Sequence, residues 1–397
     1  MRSKYISEGD NMGMEEIGLM RRFGGQRIPG FYGKQQVATP VLRSKRKNKK
    51  KGGLRIAYFQ HPRLCTRTVK ISKAMSSEAE HMIAITTMGG AISATDGSPD
   101  DHFDARYVVG TNDNKLLKIL RNNKINVIHC SNFPDSPTIR AIGIRKKMPN
   151  LRVVHDAHDI FSVVHPAKND LGLLEREAIA IQQCDAIIHV SSWMNRYTRE
   201  RYGKKGTIVF SMTNKDLIPK EVKREFSSPV NIVYEGGLKR AAGHNRNFKS
   251  VFTKILNKGY NLYVYPTKWS QGYPVLKKHK NYFGHRSLEQ GSLYNDLAMN
   301  CDIGLVMINN TSSGLVKGMM PNKLFEYLMC GIPVLSNLPG AMGFIKKHNV
   351  GVGIKNIGAI NNNIINQLKS KKANVLAKRF DFTMESQIPI LLKVYGR

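Results

Sequence analysis

The chain reads as an α/β protein of two successive units, each built on a parallel sheet, and three features of its 397 residues predict that class. Short β-branched runs recur along it, segments of helical period lie between them, and one polar stretch with two prolines interrupts the alternation at 212–229. Runs that are apolar on both faces suit strands covered by helices on both sides, as in parallel sheets. The first unit offers LRIAYF (54–59), MIAITT (82–87), ARYVV (105–109), INVIHC (125–130), LRVVHD (151–156), AIIHVS (186–191) and TIVFS (207–211). Helical period shows in KLLKILRNN (115–123) and from Leu173 to Gln183. After the break come VNIVYEG (230–236), NLYVYP (261–266), CDIGLVMI (301–308), IPVLSN (332–337) and VGVGI (350–354). The expected domains are therefore 54–213 and 230–380, joined by a linker at 214–229 and followed by a terminal segment, 381–397.

Composition bounds the function. Hydrophobic residues make up 41% of the chain, enough for sizeable cores,. The 62 Lys and Arg against 29 Asp and Glu give a formal charge of +33, far beyond the roughly 2–8 usual for a small domain. Residues 1–53 carry +9 of it, densest in RSKRKNKKKGG (43–53), and read as a basic, largely disordered tail,. The remaining +24 is spread over the folded part, so the field attracts anions there too,. Nucleic acid, an anionic membrane surface and phosphorylated small molecules are the partner classes that suit it. No run approaches the roughly 20 apolar residues of a spanning helix. The five cysteines form no C-x-x-C pair, which argues against a zinc ribbon or disulfide framework and for a reducing compartment,. The N-terminus lacks the apolar core of a signal peptide, so a cytoplasmic location is expected (a host's cytoplasm if the source is viral), peripheral to a membrane at most.

Ligands of parallel α/β sheets bind beyond the carboxyl ends of strands, and three segments there carry candidate chemistry. In PNKLFEYLMCGIPV (321–334), Leu324, Phe325 and Leu328 make a core stripe, and Lys323 and Glu326 are i, i+3 neighbours,. Alone they would be a surface ion pair. They follow the glycine-containing loop SSGLVKGMM (312–320), however, and a helix N-terminus beside exposed amides suits an anion. Lys323 would neutralise phosphate and Glu326 would accept from vicinal hydroxyls, with Ser313 and Gly314 as additional candidates. In VYEGGLKRAAGHNRNF (233–248), Gly236 and Gly237 let backbone approach a phosphate, and Lys239 and Arg240 would offset its charge,. This is neither a Walker loop nor a dinucleotide fingerprint. In VVHDAHDIFS (153–162), His155 and His158 lack further ligands at a metal spacing, so a polar cluster facing a substrate hydroxyl is expected, with His155 a candidate structural histidine,.

PNKLFEYLMCGIPVLSN resembles the donor-binding signature of retaining, family-4-like glycosyltransferases of the GT-B fold. The resemblance extends in order over HPRLCTRTVKISKAMSSEAEHMIAIT (61–86), VVHDAHDIFS, LEREAIAIQQCDAIIHVS, VYEGGL, CDIGLVMI and the closing DFTMESQIPILLKVYG. It implies two Rossmann-like domains facing across a cleft, with the last segment a helix that crosses back onto the first domain. It implies a nucleotide-diphosphate sugar held mainly by the second domain, with Glu326 on the ribose and Lys239, Arg240 and Lys323 at the diphosphate. His158, with Asp159 nearby, would approach the transferred sugar. Transfer with retention and without a metal or other cofactor is implied.

Two departures stand out. The family's first paired glutamate falls at Gly318, which removes its contacts to the sugar. Its Gly-rich first loop reads QHPRLCTRT, so Arg67 is a candidate replacement charge. The charge points the acceptor toward a hydroxylated base in DNA, ahead of a lipid-linked or surface glycan at an anionic membrane. A non-catalytic nucleic-acid-binding module on a degenerate transferase fold is the remaining alternative.

Overall fold

Apolar runs with covered faces lie side by side as strands, and the helices between them bury both faces of each sheet. The protein is represented by a computed structural model, which describes residues 53–89, 102–132, 134–164, 170–268, 270–309 and 314–397. All but the last residue of the expected basic tail, and Ser313, lie outside the described residues. In the first domain β1 (Arg55–Gln60), β2 (His81–Thr86), β3 (Ala105–Val108), β4 (Val127–Ser131), β5 (Arg152–Asp156), β6 (Ala186–His189) and β7 (Thr207–Ile208) form a parallel sheet ordered 3-2-1-4-5-6-7. In the second, β8 (Asn231–Gly236), β9 (Asn261–Pro266), β10 (Tyr282–Gly284), β11 (Ile303–Val306), β12 (Val334–Ser336) and β13 (Gly351–Gly353) form a parallel sheet ordered 10-9-8-11-12-13. The chain reverses its winding between β1 and β4, and again between β8 and β11. Such switch points open a crevice at the carboxyl ends of the strands.

The first-domain helices are α1 (Thr66–Met75), α2 (Asp113–Asn122), α3 (Ser136–Arg145), α4 (Phe161–Val164), α5 (Leu171–Gln183) and α6 (Ser192–Tyr202). Those of the second are α7 (Lys249–Asn257), α8 (Gln290–Asn300), α9 (Gly314–Gly318), α10 (Asn322–Met329), α11 (Pro339–His348) and α12 (Asn362–Lys378), with α13 (Ile388–Val394) last. Local chemistry sets their ends. Asn112, Asp170 and Ser191 accept from the backbone of the first turns of α2, α5 and α6,. Gly331, at φ +74°, lets the chain leave α10 for β12,. Three expectations change. TIVFS yields a strand of only two residues, and Tyr282–Gly284 adds an edge strand too short to show a pattern. The expected loop at 312–320 contains the short helix α9.

The terminal segment returns to the first domain. Leu391, Val394 and Tyr395 pack with Ile56 and Tyr58 of β1 in one buried cluster. The Tyr395 hydroxyl lies 2.9 Å from His129 Nδ1, and Arg152 Nε donates to the Val394 carbonyl at 2.7 Å. Between the sheets the linker and terminal segment run together. Asn214 Nδ2 donates to the Lys70 carbonyl and to Glu385, and Gln387 bonds both backbone groups of Phe210.

Arg67 does not supply a cleft charge. It is 5% exposed, and its Nε donates to both carboxylate oxygens of Asp156, at 3.0 and 2.8 Å, while Nη1 reaches Ser211 Oγ. Asp156 ends β5 fully buried, and a buried carboxylate demands a counter-charge,. Burial would raise this carboxyl, but the Arg67 charge and the His129 hydrogen bond hold it well below the usual carboxylate range.

Docking of α13 is a hydrophobic contact in the main, so truncating it should act through cavity formation. Leu391→Ala is expected to cost about 2–5 kcal/mol. Ile390→Ala, at a position 38% exposed, is expected to stay within about 0.5 kcal/mol. Thermal and denaturant melts followed by circular dichroism check both.

Candidate functional site

A cavity of about 360 Å³ opens at the carboxyl ends of β8, β9 and β11, on the second domain's side of the cleft. Its wall is made of Glu235, Gly236 and Gly237 at the end of β8, Pro266 and Thr267 after β9, and Lys323 and Glu326 on α10. The helix brings its two polar residues there because its other face is occupied. Leu324, Phe325, Leu328 and Met329 are fully buried, which turns Lys323 and Glu326 toward the strand ends.

The glycines admit the cations. Gly236 has φ +119°, and a Cβ on it would sit 2.7 Å from Lys323 Nζ. A Cβ on Gly237 would sit 2.9 Å from Arg246 Nη1. Lys323 donates to the Glu235 carbonyl, and its ammonium lies 4.0 Å from the centroid of the Tyr234 ring. Arg246 also lines the cavity. Lys239 and Arg240 do not. After Gly237 the chain buries Leu238 in the core and turns outward, leaving Arg240 exposed with Nε on the Gly272 carbonyl. It comes back at Arg246, whose carbonyl accepts from the Lys239 N–H at 3.1 Å.

Glu326 is 8% exposed and closes a network across the domain seam. Lys70 Nζ, from α1 of the first domain, donates to its Oε1 at 3.2 Å, and the Tyr294 hydroxyl donates to the same oxygen at 3.0 Å. Glu235 stands beside it, 5% exposed, its backbone N–H donating to the Tyr327 hydroxyl. Burial first, and then the neighbouring Glu326 charge, push the Glu235 carboxyl well above its usual range against the pull of Lys323.

The first domain contributes a second cluster. Asn132 Oδ1 accepts from the backbone N–H groups of His158 and Asp159, which fixes the turn after β5. The His158 ring lies 3.9 Å from Asp156 Oδ1 and 3.8 Å from Asp159 Oδ2, and it hydrogen-bonds the Cys65 thiol. Burial alone would lower the imidazole. The Cys65 hydrogen bond and charge, with Asp156 and Asp159, raise it to about 9. Burial would raise Cys65, but its hydrogen bond to His158 and the imidazolium charge bring it down to about 6. Cys65 Sγ also lies 3.3 Å from Thr68 Oγ1. His155 is fully enclosed, with Nδ1 2.7 Å from Thr138 Oγ1, and burial lowers it to about 3, as suits a neutral structural ring.

Gly318 ends α9 against the first domain. A Cβ there would meet Trp193 at 2.9 Å and Met194 at 3.2 Å, so α6 fills the room a glutamate would need. Gly314 begins the same helix. Among the described residues no group of three or more His, Cys, Asp or Glu side chains is disposed to hold a metal ion. No described helix is long and apolar enough to cross a membrane.

Of the residues named from sequence, Gly236, Gly237, Lys323 and Glu326 meet in one wall, and His158 and Asp159 meet in the other domain. Glu235, Arg246, Lys70 and Cys65 were not singled out. A carboxylate as the last side chain before a Gly-Gly turn was a usable signal for Glu235. The others carried none.

Residues 94–210 match a family model described as Glycosyltransferase Family 4. No curated protein sequence matches the chain significantly. The fold is similar to that of sucrose-phosphate synthase from Thermosynechococcus elongatus, with TM-score 0.60 and 13% identity over 85% of this chain and 98% of that one. It is also similar to HepE of Anabaena, solved with UDP-glucose, with TM-score 0.59 and 12% identity over 85% of this chain and 99% of that one. The apo structure of OtsA aligns at TM-score 0.57 with 10% identity, covering 86% and 99% of the two chains. These likenesses concern the fold, and with the family segment lying in the first domain they place the chain among proteins of the GT-B glycosyltransferase kind.

Proposed function

We propose that the protein transfers a glycosyl group, with retention of configuration, from a nucleotide-diphosphate sugar held in the cavity to an acceptor hydroxyl. The observation that carries this reading is the cavity wall itself: two cations, Lys323 and Arg246, seated over the Gly236-Gly237 turn, with the Glu326 carboxylate beside them. That arrangement suits a diphosphate next to a ribose. The glycines let the anion approach the backbone, and the cations offset the charge that grows on the leaving diphosphate as the glycosidic bond breaks. No metal is required in this reading, since fixed positive charge does the same work. HepE, a protein of like fold, was solved with UDP-glucose, which makes that sugar nucleotide a natural first probe.

His158 is the residue assigned to the sugar from the opposite domain, with Asp159 beside it. Its ring is charged below about pH 9. A charged ring donates hydrogen bonds from both nitrogens, so it can hold a sugar hydroxyl without abstracting its proton. The Cys65 side chain is the partner that keeps that charge in place.

For the acceptor, a formal charge of +33 favours an anionic polymer, and DNA carrying a hydroxylated base is the first choice,. A glycan at an anionic membrane face is the second. A binding module without catalysis would hold the donor, if at all, without hydrolysing it.

Assay against labelled nucleotide-sugars, with and without acceptor, tests the whole reading. Arg246→Ala and Lys323→Ala are each expected to lower turnover by about 10²–10³. Lys239→Ala and Arg240→Ala, outside the wall, are expected to lose less than about tenfold; equal losses in all four would remove the diphosphate assignment. Turnover should also fall as pH rises through about 9, where the His158 charge is lost. Cys65→Ser removes a partner that raises this ring, so the falling limb of the pH–rate profile should move to lower pH. Finally, if the acceptor is DNA, log affinity should fall linearly with log salt concentration, by about 0.9 for each phosphate neutralised; salt-independent binding to DNA, with flotation on anionic liposomes instead, favours the membrane glycan.

A further inference from the structure

One group in the cavity wall is left unexplained by that reading. Glu235 is 5% exposed and its Oε1 is buried without a hydrogen-bond partner. An orphaned buried acceptor costs about 1–3 kcal/mol, and the fold spends its neighbours elsewhere. Lys323 is turned onto the Glu235 backbone carbonyl rather than its carboxyl, and Tyr327 serves its backbone N–H. Lys70 and Tyr294 both go to Glu326.

We propose that Glu235 is a specificity residue of the donor site: with Glu326 it forms a carboxyl pair bridged by one proton, whose two remaining acceptors take the two hydroxyls of a ribose. The inference rests on the cavity being a nucleotide-diphosphate site and adds a second residue to it. Two adjacent carboxyls cannot both be ionised next to each other without a large repulsion. One proton between them removes it, and the Lys70 ammonium on Glu326 makes that residue the ionised member. The protonated Glu235 then donates through one oxygen to Glu326 and keeps its carbonyl oxygen as an acceptor. The pair thus presents acceptors on both residues at the cost of a single negative charge. That economy matters beside a diphosphate, since a second full charge would oppose the ligand. A vicinal diol supplies two donors at neighbouring carbons and fits such a pair. A deoxyribose leaves one acceptor buried and unpaired, so the site should reject it.

The test is calorimetric titration of the full-length protein with UDP, GDP and ADP, each against its 2′-deoxy and 3′-deoxy forms. For whichever diphosphate binds, the wild type should prefer the ribose form by at least about tenfold. Glu235→Met keeps the volume and removes both oxygens, and should cut the preference to within about twofold. Glu235→Gln should keep it, because the amide N–H replaces the acid O–H toward Glu326 and the amide oxygen replaces Oε1. Melting curves identify a folded variant, and Glu235→Ala serves if the methionine form melts early. A folded Glu235→Met or Glu235→Ala with the full preference overturns this inference and leaves the donor site standing, as does a Glu235→Gln that loses it. Absence of heat with every diphosphate overturns the donor-site reading and this one with it.

Discussion

The Lys70–Glu326 ion pair joins the two domains at the wall of the cavity, and much of the site depends on it. Its partners lie 256 residues apart, on α1 of the first domain and α10 of the second, and both are largely buried. A buried pair returns its desolvation cost only when further hydrogen bonds complete it. Here Tyr294 and Thr213 supply them, the first to Glu326 and the second to Lys70. The consequence is positional. Glu326 is held at one angle in the wall by a charge from the opposite domain, and Glu235 beside it is held as a neutral acid. A movement of the domains that withdrew Lys70 would change the electrostatics of the cavity as well as its width.

The same logic of paired charge runs through the first domain. Asp156 is committed to Arg67 and His129, so the strand end that faces the cleft is a closed network rather than a free carboxylate. His158 sits at the edge of that network and gains its charge from Cys65, Asp156 and Asp159 together. The two halves thus offer different chemistry to the cleft, an anion cradle on one side and a protonated imidazole on the other. Transfer from a charged leaving group needs both.

Departures from the family pattern have steric reasons. Gly318 stands where a glutamate is frequent because Trp193 and Met194 of α6 occupy the space beyond its Cα. The segment QHPRLCTRT replaces a glycine-rich loop, and its charge, Arg67, is drawn inward by Asp156. What that loop leaves at the cleft is Cys65, half-buried against His158.

The sequence by itself determined the strands, their parallel pairing and the division into two domains, because β-branched runs such as NIVYEG and helical stripes such as Leu324, Phe325 and Leu328 are local patterns that burial enforces. It also determined the Lys323–Glu326 pair, since i, i+3 spacing places both on one helix face whatever the rest does. Tertiary structure alone decided which cations line the cavity. Arg246 returns to the Gly-Gly turn and Lys239 and Arg240 leave it because Leu238 is pulled into the core, a competition no spacing rule encodes. It alone decided, too, that Arg67 is consumed internally and that Lys70 reaches Glu326. Those contacts join residues far apart in the chain, and their energies come from burial, which a sequence pattern shows for a face but not for a partner.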